Sequence, residues 1–394
     1  MGLGGIFDAW EQRKLGDVSN YIKGFAFKSK DYKKDGVRII QVSDLTKDKI
    51  KCSNTNIFVS LELAELNKKY RINKNEIIIT TVGSKAEIKE SAVGRPIIVA
   101  EEGHFLLNQN LVKLTSLQGF DNYFIYSQLL QPRYINYIAA IERGNANQAN
   151  IAIIDLWQYT FLVPKKLEQQ KISMFFKQLD NTIALHQRKL DSLKLMKKGF
   201  LQLMFPKKGE KAPKLRFADF PDEWEQRKLK EVSNRYDNLR IPVASSKRIK
   251  GSTPYYGANG IQDYVEGFTH EGEFILVAED GANDVQNYPV QYVYGKVWVN
   301  NHAHVLQAKV NISDNKFLMN TIQVLNIQPF LVGGGRAKLN SDVMMKLPVK
   351  LPIYDEQQKI GTFFKQIDNT ITFYQTKVDK LKIIKRTYLK NMFI

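Results

Sequence analysis

One cysteine, Cys52, among 394 residues leaves no disulfide to form within the chain. No run of 18 apolar residues occurs, and no signal-peptide apolar core follows Met1. The expectation is a cytoplasmic protein with no membrane association. Motifs of nucleotide chemistry are missing too. There is no Gly-x-x-x-x-Gly-Lys-Ser/Thr loop to cradle phosphates and no Gly-x-Gly-x-x-Gly turn for a dinucleotide. The Asn/Asp-Pro-Pro-aromatic tetrapeptide of adenine or cytosine amino-methyltransferases is also absent. Histidines number five; His302 and His304 share one side of an expected strand with no third ligand nearby, so packing or hydrogen bonding explains them better than a metal. Glu87-Ile88-Lys89 has the spacing of a nuclease half-motif, but so short a triplet is common by chance.

What is abundant is positive charge: 58 Lys and Arg against 40 Asp and Glu, a net +18. A polyanion is the natural partner, because cations that neutralise phosphates release counterions. Residues 165–211 carry 12 basic and 4 acidic side chains, and residues 355–394 carry 8 and 4. Most of the excess therefore sits on these two segments, where it serves DNA phosphates, the acidic face of a protein partner, or only solvation.

The chain repeats itself. Trp10-Glu11-Gln12-Arg13-Lys14-Leu15 returns as Trp224 to Leu229, each leading to a Val-Ser-Asn at Val18 and Val232. Glu168-Gln169-Gln170-Lys171-Ile172 with Phe175 to Ile183 returns as Glu356 to Ile360 with Phe363 to Ile371. So long a period means duplicated domains, not a solenoid. The first pair lies 214 residues apart and the second 188, so the segments between them differ in length. Fainter matches join Glu76 and Gly83 to Glu273 and Gly281, Gly103 and Asn108 to Gly295 and Asn300, and Arg143-Gly144 to Gly335-Arg336.

Apolar residues at helical spacing form two stripes: Ile172, Phe176, Leu179, Ile183, Leu190 and Leu193, then Ile360, Phe364, Ile367, Ile371, Val378 and Leu381. Each helix of about 54 Å is too long to fold against one small domain, so the stripes are expected to pair as an antiparallel coiled coil and to contribute subunit interfaces. Gly199 is expected to interrupt the first helix, and Phe205-Pro206 to stop it. Pro206 to Pro221 reads as a linker. Short β-rich runs fill the rest: Val37 to Val42, Glu76 to Val82, Pro96 to Ala100, Phe274 to Ala278, Gln291 to Tyr294 and Lys296 to Val299. The fold class is α+β: two similar, mainly β domains separated by two long helices. Its expected parts are residues 1–165, a helical spacer 166–206, residues 207–352, and a second spacer 353–394.

With catalytic motifs missing, recognition remains. Arg143, Asn145, Asn147 and Gln148 crowd around Gly144, and Asn or Gln can bond adenine bidentately in the major groove. Arg336 and Lys338 hold the matching place in the second copy, beside Gly333 to Gly335. Both segments also suit plain tight turns. Lys247 and Arg248 with Tyr255, Tyr256 and Asn259 mix cations, aromatics and an amide, as phosphate and base contacts require, although aromatics there are more often core. Lys23, Ser84 and Lys85 are weaker candidates.

At these residues the chain resembles the specificity subunit of type I restriction-modification enzymes. The likeness spans the Trp-Glu-Gln-Arg-Lys-Leu openings, Gly251 to Ala258, Ala278-Glu279-Asp280-Gly281, Val299-Asn300-Asn301-His302 and the two Glu-Gln-Gln-Lys-Ile helices. The resemblance implies two target-recognition domains reading the halves of a split double-stranded DNA site, and paired helices that seat two modification subunits. It implies restriction subunits as further partners, S-adenosylmethionine, ATP and Mg on those partners, and no catalytic residue or cofactor in this chain. A non-catalytic coiled-coil adaptor binding only protein is the alternative.

Overall fold

The repeated hexapeptide folds the same way twice. In the computed structural model, which describes residues 10–46, 49–51, 56–85, 93–100, 102–103, 105–145, 148–333 and 337–393, strand Glu11–Lys14 pairs antiparallel with Thr160–Val163, and Glu225–Lys228 with Pro348–Leu351. Each partner strand lies just before a long helix, so the repeat closes a domain onto its exit. The following turn Leu15–Val18 is capped by Asp17, whose carboxylate accepts from the Lys14 amide at 2.9 Å; Glu231 does the same for Lys228 at 3.0 Å. Leu15, Val18, Leu229 and Val232 are fully buried. The Ser of each Val-Ser-Asn bonds back to the Leu carbonyl, Ser19 to Leu15 and Ser233 to Leu229.

The repeated Glu-Gln-Gln has an equally local cause. Gln169 accepts from the Asp121 amide at 3.0 Å and donates to the Pro164 carbonyl at 2.9 Å. Gln357 accepts from Asp314 at 3.1 Å and donates to Pro352 at 2.9 Å. Asp121 and Asp314 are themselves N-caps, accepting from the Phe124 and Phe317 amides. A buried amide thus ties each domain's capped helix to its long helix, with all its polar atoms satisfied.

The chain forms two compact units, Met1–Leu185 with Val378–Ile394, and His186–Lys377. Each joins a mainly β domain to a stretch of both long helices, so this division cuts the chain differently from the four parts read in the sequence. In the first unit a four-stranded sheet runs in the order Ser19–Lys23, Leu111–Ser116, Ile77–Thr80, Pro96–Ile98. Ile77 and Ile79 face a cluster with Phe124, Tyr134 and Ile138, while Ile78 faces Ile40 and Leu107. Period-two alternation in an all-apolar run thus covers both faces of the strand. The second face packs on another four-stranded sheet, Phe58–Val59, Val37–Ile40, Phe105–Leu107, Arg71–Ile72. Between these layers lies a buried ion pair, Lys113 Nζ to Glu76 Oε1 at 3.0 Å, with Lys113 also donating to the Arg71 carbonyl at 2.6 Å.

The second unit has one six-stranded sheet, ordered Ser233–Arg235, Ala303–Ala308, His270–Ala278, Val290–Val299, Lys250–Gly257, Gly260–Val265. Two runs expected as separate strands around Gly295 are one strand, Val290–Val299. Gly295 (φ +84°) lies opposite Gly272 (φ +136°), and the ladder runs through this positive-φ pair in unbroken register.

The long helices run Lys166–Met204 and Tyr354–Asn391, 39 and 38 residues. Gly199 does not interrupt the first: a side chain there would meet nothing within 4 Å, and the flanking apolar contacts outweigh the modest propensity cost of glycine. In each unit the helix stretches pair antiparallel. In the first, Phe175 meets Tyr388 and Asp180 pairs with Lys385 at 2.6 Å. In the second, His186 meets Tyr374, Lys197 pairs with Asp368 at 2.6 Å, and Phe200 meets Phe363. Of the stripe residues, Ile172, Phe176, Leu190, Leu193, Ile360, Phe364, Ile367 and Val378 are buried, and Leu179, Ile183, Ile371 and Leu381 are half-buried.

Candidate nucleic-acid interface

The segment read as a tight loop after Ile141 is a small hairpin. Strand Arg143–Asn145 pairs with Gln148–Asn150, which also pairs with Val82–Gly83. Gly144 adopts φ +110°, and a Cβ there would come 2.3 Å from the Gln148 carbonyl oxygen, so only glycine fits. Asn145 Oδ1 accepts from the Gln148 amide at 3.0 Å. Ala149 is buried, which roots the hairpin, while Arg143, Asn145, Gln148 and Asn150 are exposed. Arg143 bonds the Asp155 carboxylate at 2.8 Å, a clamp on the hairpin's root. Asn147 lies outside the described residues, as do Cys52 and the Glu87–Lys89 triplet.

The second copy builds the equivalent turn. Val332 and Lys338 exchange backbone hydrogen bonds at 2.9 Å in both directions, and Lys338 bridges to Asp280, next to Gly281, as Ala149 pairs with Gly83 in the first copy. Arg336 lies outside the described residues. Lys338, half exposed, reaches Glu279 Oε1 at 2.9 Å.

Beneath this turn is a network of charges that the sequence pattern does not reveal. Glu279 Oε2 accepts from Arg240 Nη1 at 2.6 Å and lies 3.5 Å from His304 Nδ1. His304 is fully buried, with Nδ1 2.8 Å from Asp237 Oδ2 and Nε2 donating to the Leu339 carbonyl at 2.8 Å. Arg240 also donates to the Asp237 and Ala303 carbonyls. Burial pushes the Glu279 carboxyl up, but hydrogen bonds from Arg240 and Lys338 outweigh it and hold the group below the usual carboxylate range. Asp237 follows the same balance: burial raises it, and His304, the Val305 amide and Arg240 bring it below its ordinary value. Asp237, Glu279 and His304 stand close enough to share a metal, yet both His304 nitrogens are engaged and Arg240 and Lys338 already supply the positive charge. His302 serves elsewhere, paired with Asp280 at 2.5 Å.

These depressed carboxylates carry a pH signature. A group with a lowered folded-state pKa stabilises the fold above its unfolded value, and that contribution disappears as pH falls through the folded value. Stability of the assembled protein should therefore drop as pH falls below about 4.3, the unperturbed glutamate value. Denaturant midpoints between pH 6 and 3 should show a shallower slope for Glu279→Gln than for the wild type.

The structure buries two of the candidates, Tyr255 and Ser84. Tyr255 is core: it is 1% exposed, its hydroxyl bonds the Val243 backbone, and Arg248 stacks on its ring at 4.1 Å. Arg248 is held there by the Val243 carbonyl and Asp263, so the pair braces the strand instead of presenting a cation and an aromatic to a ligand. Ser84 is also buried, and Lys85 half-buried. Tyr256 is half-buried, its hydroxyl raised in pKa by burial and then by Tyr264. Asn259 is exposed but committed, donating to the Gly281 carbonyl at 2.8 Å and accepting from Asn283 at 2.9 Å, so it fixes the loop after the central strand. Lys23 and Lys247 are exposed.

A family model for the type I restriction modification DNA specificity domain matches residues 8–195 and again residues 221–382. A stretch of 138 residues is 48% identical to a putative type I restriction enzyme specificity subunit of Haemophilus influenzae, covering 35% of this chain and 36% of that one, about a third of its length. The putative type I restriction enzyme MjaX specificity subunit of Methanocaldococcus jannaschii is 21% identical over 98% of this chain and 92% of its own. The fold is that of the type I restriction-modification system S subunit from M. genitalium, with a TM-score of 0.73 at 16% identity over 100% of this chain and 98% of that one. Matched in both halves by the same domain, the chain belongs to the specificity subunits of type I restriction-modification enzymes, whose part is DNA recognition and not catalysis.

Proposed function

We propose that this chain reads a bipartite, asymmetric site in double-stranded DNA, one half through each recognition domain, and seats two modification subunits and the restriction subunits along its helices. S-adenosylmethionine, ATP and Mg belong to those partners in this reading. The observation that carries it is the pair of hairpins rooted at equivalent points of the two domains, beside Gly83 and Gly281, on a frame whose repeated residues fold identically. Their different side chains, amides around Gly144 and cations after Gly333, suit different bases. The seating of partners is supported by exposed apolar side chains on the helices, among them Leu185, Leu195, Phe373 and Ile383.

Mapping methylated positions in DNA from cells carrying this chain with its partners tests the proposal. Methylation at a split motif with two unlike halves is expected. A single continuous or palindromic motif would overturn the two-reader reading, and unchanged methylation on removing the chain would favour an adaptor that binds only protein.

A further inference from the structure

Two adjoining clefts of about 610 and 500 Å³ lie along the long helices within the second unit and share Lys197, Gln323 and Asp368. Lys194, Lys197, Lys198, Lys207, Lys316 and Lys365 line this groove. Among the described residues lining it, Asp368 is the only carboxylate, and Lys197 already takes it at 2.6 Å. Charge of one sign gathered this way repels itself until an anion covers it. Apolar side chains lie among the lysines, Leu201, Val324 and Ile371 in one cleft and Met319 in the other. Asn320 and Gln323, from helix Asn315–Val324, complete the lining. Asn320 is 0% exposed, and its Nδ2 donates to the Lys316 carbonyl at 2.7 Å, which fixes the amide. Its Oδ1 is left a buried acceptor with no donor among the described residues, as is Gln323 Oε1. Native interiors rarely leave such oxygens unsatisfied.

We propose that this groove seats an acidic, partly apolar polypeptide segment of a modification subunit, its carboxylates on the lysines and its backbone N–H groups on Asn320 and Gln323. The lining chemistry selects this occupant. A DNA backbone offers acceptors only, so it would neutralise the lysines yet leave both amide oxygens without a donor and the apolar side chains uncovered. A small free anion has the same shortcoming and cannot span two clefts. A peptide supplies carboxylates, N–H donors and apolar contact together. A segment held there touches both long helices and the second domain's helix Asn315–Val324 at once, so the partner's placement is tied to the domain that reads the site.

The inference rests on the proposed seating of modification subunits, and the test separates the two. A carbodiimide joins a lysine amine to a carboxylate only where the two are in contact, so the complex assembled without DNA is treated with it and the linked peptides are identified by mass spectrometry. Links from Lys198 or Lys365 to aspartate or glutamate of the modification subunit are expected. Acylation of Lys194, Lys198 and Lys365 should fall severalfold on assembly, while Lys247, exposed and outside the groove, stays reactive. Lys198→Glu combined with Lys365→Glu changes two exposed side chains and should weaken binding of the modification subunit by at least about tenfold, with a flatter salt dependence. Groove lysines that form no links and stay reactive, or a double variant that binds as the wild type does, would overturn the proposal while the seating stands. If the double variant does not fold, the links and the acylation of the wild-type complex decide. Protection of the lysines by duplex DNA alone would assign the groove to nucleic acid and overturn the proposal equally. A wild-type chain that binds no modification subunit removes the seating itself, and the groove's role with it.

Discussion

Replacing Phe364 by alanine should cost about 3–5 kcal/mol of stability, the usual range for emptying a fully buried aromatic site. Phe364 is 0% exposed on the second long helix, with ring centroids 5.4 Å from Phe363 and 5.9 Å from Phe205. Trp224 of the repeated opening and Phe317 of the capped helix belong to the same cluster. One side chain therefore joins the helix stripe, the domain closure and the helix cap, and backbone ties such as Gln357 to Asp314 limit how far the site can collapse. Against a total of about 5–15 kcal/mol, a loss of that size threatens the fold, and Phe364→Asp should prevent assembly. Phe176, equally buried and stacked on Phe393 at 5.8 Å, should behave alike in the other unit. Urea midpoints of the co-expressed complex measure the effect. Wild-type midpoints, or a changed target sequence in complexes that survive, would contradict it, since the helix core carries no base contact in this account.

Gly144→Ala should cost global stability no more than the local strain of about 1–2 kcal/mol and be severe in recognition. An L-residue at φ +110° pays a backbone strain of about 1–2 kcal/mol, and the added Cβ would stand 2.3 Å from a backbone oxygen that no rotamer change can move. The Arg143–Asn145 strand must then part from Gln148–Asn150, taking Asn145 and Gln148 out of register. The rest of the domain is held by other strands, with Ile77–Thr80 and Leu111–Ser116 buried at their pairing. Binding measured against duplexes altered in one half at a time should lose about 1–3 kcal/mol of discrimination per base contact in the first half only. Equal weakening on all sequences, with a smaller salt slope, would instead mark the hairpin as a phosphate contact.

Much of this was legible in the residues themselves, for identifiable reasons. The helix stripes show because amphipathic periodicity is a local signal, and the strands around Ile39 and Ile78 show because β-branched runs have few other uses. Gly295 and Gly199 misled because a glycine reads as a break, whereas a facing glycine in one case and sufficient helix contacts in the other carried the element through. Tyr255 was ambiguous because sequence gives no face: it and Tyr256 are neighbours on one strand, one buried and one half-buried. The Lys113–Glu76 pair and the Asp237–Glu279–His304 network join residues 25 or more positions apart, and no local pattern announces them. At the candidate site, the hairpin roots were found by comparing the two copies, not by composition.

The most direct test of the account is an exchange of residues 13–165 for the equivalent part of a relative with a different target, followed by methylome mapping in cells that carry the partner subunits. The account predicts that one half of the recognised sequence changes to the donor's and the other half stays as it was. Both halves changing together, or neither changing, would contradict it.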